Sequence, residues 1–156
     1  MATIALQSVC IPTNARISNY PEAASQSFKK GQAVYLSSGK VTVCASDATL
    51  IAGFACQDAS GVTDTEIAVA IAEPGTVFEM NIYHPSSAFT STAITDVSAK
   101  YGLYVGGNKS HCDKEDTTNT RFLVIGLSPK DSVGDAYGRV LVEVLRPYCQ
   151  LSGVIG

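Results

Sequence analysis

Residues 28–55 read FKKGQAVYLSSGKVTVCASDATLIAGFA, and this stretch decides the fold. Its apolar runs are short and are separated by polar segments, a spacing typical of β-strands. Gly39 readily adopts φ > 0, so Ser37–Lys40 predicts a tight hairpin turn, and residues 46–49 predict a second, polar turn. The three predicted strands are Ala33–Leu36, Val41–Ala45 and Leu50–Ala55.

The strand pattern continues after this stretch. Thr65–Ala72 alternates larger apolar residues with alanines, which predicts a strand that is buried on both faces. Glu73–Thr76 has proline and then glycine at its centre, which favours a type II turn, and we expect it to join a hairpin with Val77–Tyr83. Three further strands are predicted at Tyr101–Val105, Arg121–Leu127 and Gly138–Leu145.

The fold class follows from this spacing. Residues 106–120, GGNKSHCDKEDTTNT, are expected to form a long exposed loop. No long segment has the helical period, and no internal repeat is evident. The sequence therefore predicts an all-β fold, a small β-barrel or β-sandwich.

Three regions are expected along the chain. Residues 1–27 contain Pro12 and Pro21 and few large apolar side chains, so they predict an extended N-terminal arm that is ordered only against the body or a neighbour. Residues 28–147 form the β-domain, and residues 148–156 form a short C-terminal tail.

Composition limits the partners. Charged residues make up 16% of the 156 residues, against roughly 25% in typical soluble domains, and this favours a surface that is partly hidden in an assembly. The net charge of −3 does not favour nucleic acid or an anionic membrane as a partner. The apolar runs are shorter than the about 20 residues of a membrane span, and no basic signal region opens the chain, so we expect synthesis in a cytoplasm.

The sequence contains few patterns that indicate catalysis or metal binding. Its five cysteines are widely spaced without a CxxC pair, so neither a disulfide framework nor a structural zinc site is expected. His111, Cys112 and Asp113 are the one local cluster of possible metal ligands, and they lack the partners that a closed site requires. We expect no cofactor, no metal and no enzyme activity. An enzyme that uses Cys112 with His111, or His84, is an alternative, although adjacent strand residues point to opposite faces.

Several segments of the chain, taken in order, match the pattern of one family of small β-structured proteins. The matching features are Ala23-Ala24, then Phe28–Gly31, a strand and glycine turn, Ile51–Ala55, and Val69–Phe78 with its Pro-Gly-Thr-Val-Phe hairpin. The segment 134–140, GDAYGRV, is similar to the last turn and strand of such proteins. The chain thus resembles the capsid decoration, or cement, proteins of tailed phages over about residues 20–80 and more loosely over 120–146.

This resemblance implies a structural virion protein on the outer surface of a phage capsid. It implies a homotrimer, or less often a dimer, that bridges neighbouring major capsid protein subunits and is made in the host cytoplasm. The apolar contacts are expected from Ile4, Leu6, Tyr20 and Phe28. A minor tail or head–tail component is the alternative within the same class.

A second class of function stays open. Tyrosines combine an apolar ring with a polar tip, and they often line sites for polar ligands. Tyr83, Tyr101 and Tyr104, with the Ser/Thr-rich segment after His84, are therefore candidates for a host-attachment or glycan-binding site.

Overall fold

The computed structural model describes residues 2–86 and 88–152 and is all-β, as the sequence predicts. Two five-stranded antiparallel sheets form the body. The first sheet contains β1 (Ile17–Pro21), β2 (Ala33–Ser37), β3 (Lys40–Val43), β4 (Gly53–Ala55) and β5 (Glu66–Ile71). The second contains β6 (Phe78–Asn81), β7 (Lys100–Gly106), β8 (Lys109–Asp113), β9 (Phe122–Leu127) and β10 (Arg139–Val144). Two short 3₁₀ turns lie at Ile94–Asp96 and Arg146–Tyr148.

The two sheets have the same topology. The strand order is β1-β5-β4-β2-β3 in the first and β6-β10-β9-β7-β8 in the second, so the second sheet repeats the first strand for strand. In each sheet the two edge strands also meet at one parallel bridge, Glu22 with Val41 and Ile82 with Cys112. We call the two halves the first unit (β1–β5) and the second unit (β6–β10). The described residues form no closed barrel, and the sandwich alternative stays a prediction.

The repeat extends to individual residues. We take the two bridges as equivalent positions and follow the strand pairing through each sheet. Each paired strand residue of the first unit is then matched with one residue of the second, and the last match agrees with the bridge from which it started. Most of the equivalent pairs obtained in this way on the inner faces are apolar and fully or partly buried, and the exceptions are in β1 and just after it, where Ser18 and Glu22 correspond to Phe78 and Ile82 of the other unit. The apolar pairs include Val34/Tyr101, Leu36/Leu103, Val41/Cys112, Ala55/Val124, Ile67/Val140, Val69/Val142 and Ile71/Val144. The chain is thus built as two copies of one five-stranded unit.

The main core joins the two units. The Phe54 and Phe78 rings, one from each unit, are 4.5 Å apart. The first unit also has a separate apolar cluster on the other face of its sheet, which includes Phe28 and Ile67. A Cβ on Gly53 would lie 1.9 Å from the Ala70 carbonyl oxygen. Strands β4 and β5 therefore approach each other more closely than any larger residue at position 53 permits.

Each unit is covered by a segment that leads out of the other. Ahead of the first unit, residues 2–10 lie on the second: the Ile4 N–H donates to the Ala136 carbonyl (2.8 Å), and the Cys10 N–H donates to the Glu79 carbonyl (2.9 Å). After the second unit, the Gln150 side chain accepts from the Leu36 N–H (2.7 Å) and donates to its carbonyl (2.8 Å) on the first. These crossed segments hold the two units together by hydrogen bonds to the backbone, in addition to the core.

The predicted hairpin of residues 65–83 is wrong. Both strands exist as β5 and β6, but they belong to different sheets. Gly75 has φ +91°, which fits the third position of a type II turn. Turns of types I and II splay the strands that they join. The turn at 73–76 therefore carries the chain from one unit to the other.

The predicted long loop at 106–120 is also wrong in its first half. Residues 109–113 form β8, which pairs with β7. Gly107 (φ +59°) and Asn108 (φ +60°) form the two-residue turn between them, with both central φ angles positive as in a type I′ turn.

Candidate functional site

A cleft of about 280 Å³ lies beside the β7–β8 hairpin. We call it the tyrosine cleft, and its walls are Leu6, Tyr83, Tyr104, Gly106, Gly107, Lys109 and His111. The N-terminal segment supplies Leu6, the segment after β6 supplies Tyr83, and the hairpin supplies the other five. The cleft therefore depends on the segment that crosses from the first unit.

The hairpin of the second unit is longer than that of the first, and the extra residues build the cleft. Four residues separate Leu36 from Val41, whereas eight separate their equivalents, Leu103 and Cys112. Tyr104 and His111, which are cross-strand partners, stand where the first unit has Ser37 and Lys40. The first unit thus has no counterpart of the hairpin tip that forms most of the cleft wall.

The aromatic rings of the cleft belong to a larger cluster. Tyr83 makes edge contacts with Tyr104 (6.0 Å between ring centroids), His111 (5.1 Å) and Tyr137 (5.1 Å). Tyr104 and His111 are nearly parallel, with 15° between their planes and 6.5 Å between centroids. Gly106 packs under the Tyr104 ring, because a Cβ there would lie 2.8 Å from the Tyr104 hydroxyl. This mutual packing fixes the orientation of the rings without any ligand.

Polar groups of the cleft have hydrogen-bonding capacity that the fold does not use. His111 is 1% exposed, and its Nδ1 has no hydrogen-bond partner among the residues that the structure describes. Burial, together with the positive charge of Lys109, lowers the pKa of His111 to about 4, so the imidazole is neutral at physiological pH. Within residues 2–86 and 88–152, the hydroxyls of Tyr83 and Tyr104 make no hydrogen bond and Lys109 makes no ion pair.

Tyr101 does not belong to this cleft, although the sequence grouped it with Tyr83 and Tyr104. It is 7% exposed, and its hydroxyl donates to the buried Asp96 carboxylate at 2.6 Å. Lys114 Nζ lies 2.9 Å from the same carboxylate. Burial and the neighbouring Asp96 raise the pKa of the Tyr101 phenol. These groups satisfy one another, which is the arrangement expected of a structural network.

The cysteine and histidine pair does not have the geometry of a nucleophile and base. Cys112 and His111 are neighbours in β8, so their side chains point to opposite faces. Cys112 is completely buried, and burial raises the pKa of its thiol, which keeps it protonated. Among the described residues, no group of three or more His, Cys, Asp and Glu side chains is placed to hold a metal ion.

The four predicted contact residues lie in three places. Ile4 and Leu6 are half-buried on the N-terminal segment, where Leu6 lines the tyrosine cleft. Tyr20 lies in β1, within the first sheet, and packs against the apolar cluster of that unit. Phe28 is 2% exposed in the same cluster. Phe28 therefore stabilises the folded unit and leaves little surface for a partner.

Large apolar side chains are exposed at one end of the second unit instead. Phe89, Ile94 and Val133 are 59%, 70% and 51% exposed. Hydrogen bonds join their loops: the Gly134 N–H donates to Thr92 Oγ1 (3.1 Å) and the Tyr137 N–H donates to the Thr90 carbonyl (2.7 Å). We call these three side chains the apolar loop surface. The sequence analysis did not select these three residues as contact residues, because each is a single apolar residue within a polar segment.

The search for similar proteins returned no match, whether against family models, curated proteins or solved structures. In residues 2–86 and 88–152 there is no helix with the length and apolar character needed to cross a membrane.

Proposed function

We propose that this protein is a structural component of a tailed-phage particle that binds the outer capsid surface and stabilises it by bridging neighbouring major capsid protein subunits. The observation that carries the proposal is the apolar loop surface. Exposed apolar residues that are held on ordered loops are typical of surfaces that become buried in an assembly. The low charge content of the chain and its all-β body agree with this role.

The partners in this proposal are the major capsid protein and further copies of the chain, which form a homotrimer. Ile4 belongs to the same region, because its N–H is bonded to Ala136, next to the loop that carries Val133. Repetition over a lattice makes a modest contact at each position sufficient, since multivalent attachment raises the overall affinity. In this proposal, the chain is made in the host cytoplasm and functions on the outer surface of the particle.

Mass spectrometry of purified particles tests the role directly. A shell protein is present in a copy number comparable to that of the major capsid protein, whereas a tail or head–tail component is present in a few copies. Absence of the chain from purified particles would overturn the proposal.

Variants of the apolar loop surface test the contact. Ile94→Ser combined with Val133→Ser should weaken cosedimentation with capsids by at least about tenfold, because each large apolar side chain contributes roughly 1.5–3 kcal/mol when buried. Val62→Ser is the matched control, since Val62 is 63% exposed on a loop of the first unit. Equal capsid binding by the double variant and the control would count against this surface.

A further inference from the structure

The tyrosine cleft has the features of a ligand site that the assembly role does not use. It is concave, its rings are held by packing, and its polar groups are unsatisfied within the described part of the chain. His111 lines the cleft with its ring, and its buried Nδ1 has no hydrogen-bond partner among residues 2–86 and 88–152, which is uncommon in native proteins. The Nδ1 atom itself is closed to solvent, so a ligand in the cleft would contact the imidazole ring rather than this nitrogen.

Size and chemistry restrict the ligand. About 280 Å³ is at the lower limit of small-molecule pockets, which run from roughly 300 to 1,000 Å³. The walls combine two phenol rings with hydroxyl tips, a neutral imidazole and the Lys109 ammonium, which has no ion pair in the described part of the chain. A pyranose ring fits this set because it presents C–H groups to aromatic faces and hydroxyls to the polar tips, and a carboxylate on the ring would pair with Lys109.

We propose that the tyrosine cleft binds a single acidic sugar unit, a pyranose that carries a carboxylate. The rings of Tyr83 and Tyr104 contact the apolar edge of the sugar. The phenol hydroxyls of the two tyrosines bond the sugar hydroxyls, and the His111 ring forms part of the wall. Lys109 pairs with the carboxylate, and this pair selects acidic over neutral sugars.

The repeat supports a dedicated site. The two units share their strand order and inner faces, yet the four additional residues of the second hairpin occur in one unit alone. A purely structural hairpin does not require them, since the first unit folds with the shorter form. The insertion places Gly106, Gly107 and Lys109 at the cleft and leaves the shared core unchanged.

Amide NMR spectra of the full chain, titrated with three probes, test the proposal. Methyl α-galacturonoside is the acidic sugar, methyl α-galactoside is the neutral control, and benzoate is a flat aromatic acid. We expect shifts confined to the cleft amides, Gly106, Gly107, Lys109 and His111, with a Kd on the order of 1 mM for the acidic sugar. No shift with the acidic sugar, shifts elsewhere, or equal binding of either other probe would overturn the assignment.

Two variants test the assigned roles. Lys109→Gln should weaken binding of the acidic sugar about tenfold, the usual loss for one charge-assisted hydrogen bond, and leave the neutral sugar unchanged. Tyr104→Phe keeps the ring and should cause a smaller loss. Lys100→Gln is the charge-matched control, because Lys100 is exposed near the opposite end of β7. If the Lys109→Gln and Lys100→Gln variants bind the acidic sugar equally well, the proposed ion pair between Lys109 and the sugar carboxylate is wrong. Capsid binding is measured separately, so either proposal can fail alone.

Discussion

At the scale of single residues, His111 shows how a tertiary position changes an ordinary group. Its strand is polar in sequence, yet Ser110, His111 and Cys112 are all at most 1% exposed. Ser110 uses its hydroxyl to accept the Ala33 N–H at 2.9 Å, across the two units. Within the described ranges, His111 has no such partner for Nδ1. The imidazole is therefore buried in its neutral form, with Lys109 as the charged neighbour that opposes protonation.

The pH dependence of stability follows from this burial. Because the pKa of His111 falls from 6.5 to about 4 on folding, the unfolded chain takes up a proton between these values that the folded chain does not bind. The His111 contribution is therefore complete above about pH 6.5 and is lost as the pH falls towards 4, by up to roughly 3 kcal/mol.

Urea unfolding of the wild type and His111→Gln between neutral pH and about pH 4 measures this contribution. The variant should lose less stability over that range than the wild type does. His84→Gln, which removes the other imidazole and keeps His111, is the control for the substitution itself. Parallel slopes for the wild type and His111→Gln would show that the imidazole titrates alike in both states.

At the scale of elements, the close approach of β4 and β5 depends on one glycine. Gly53→Ala would place a methyl group 1.9 Å from the Ala70 carbonyl oxygen, which is backbone and cannot rotate away. We expect a loss of at least about 3 kcal/mol of unfolding free energy, the upper range for overpacking. Chemical denaturation measures it.

Gly126→Ala is the matched control for this prediction. Its added Cβ would meet the Leu141 Cδ1 atom at 3.6 Å, an ordinary contact with a flexible side chain. This variant should unfold within about 1 kcal/mol of the wild type, since glycine in a strand carries an entropic cost that alanine reduces. Equal destabilisation by the two variants would refute the role of Gly53.

The elements also show what the sequence could and could not predict. The strands of residues 28–55 were predicted closely because their apolar alternation and the Gly39 turn are local signals. Strand β8 was missed because its burial comes from tertiary contacts and its residues are polar. A local signal was nevertheless present, since Gly107-Asn108 is a dipeptide suited to a two-residue hairpin turn. A hairpin predicted from that turn pairs Tyr104 with His111. It would therefore have placed most of the residues of the cleft side by side.

At the scale of the whole molecule, the repeat was invisible in the sequence for a physical reason. Equivalent inner positions share burial but not identity, as Val41 and Cys112 or Ala55 and Val124 show. Connections of different length separate the strands, which destroys any fixed period. The hairpin predicted around residues 73–76 was wrong for a related reason. The connection between the two units has the sequence of an ordinary turn, so nothing local shows that a new unit begins there.

The shared core predicts how the chain behaves when it is cut. Pro74 and Gly75 are exposed between the units, so co-expressed fragments 1–74 and 75–156 should associate and regain β-structure. Each fragment alone should stay unfolded, because it would expose Phe54 or Phe78 and lose the crossed segments. Co-purification with circular dichroism measures this. A stable, folded fragment on its own would show that the units are independent domains.

The crossed segments have a consequence for synthesis on the ribosome. The first unit is translated first, yet the backbone groups of Leu36 bond to Gln150, and Ile51 bonds to residues 148 and 150. Residues 2–7 are made before both units, and the groups to which they hydrogen-bond, Asn81, Asp135 and Ala136, are made only with the second. The nascent chain therefore cannot complete one unit before the next is made. Both units reach their final form together, after residue 150 has left the exit tunnel.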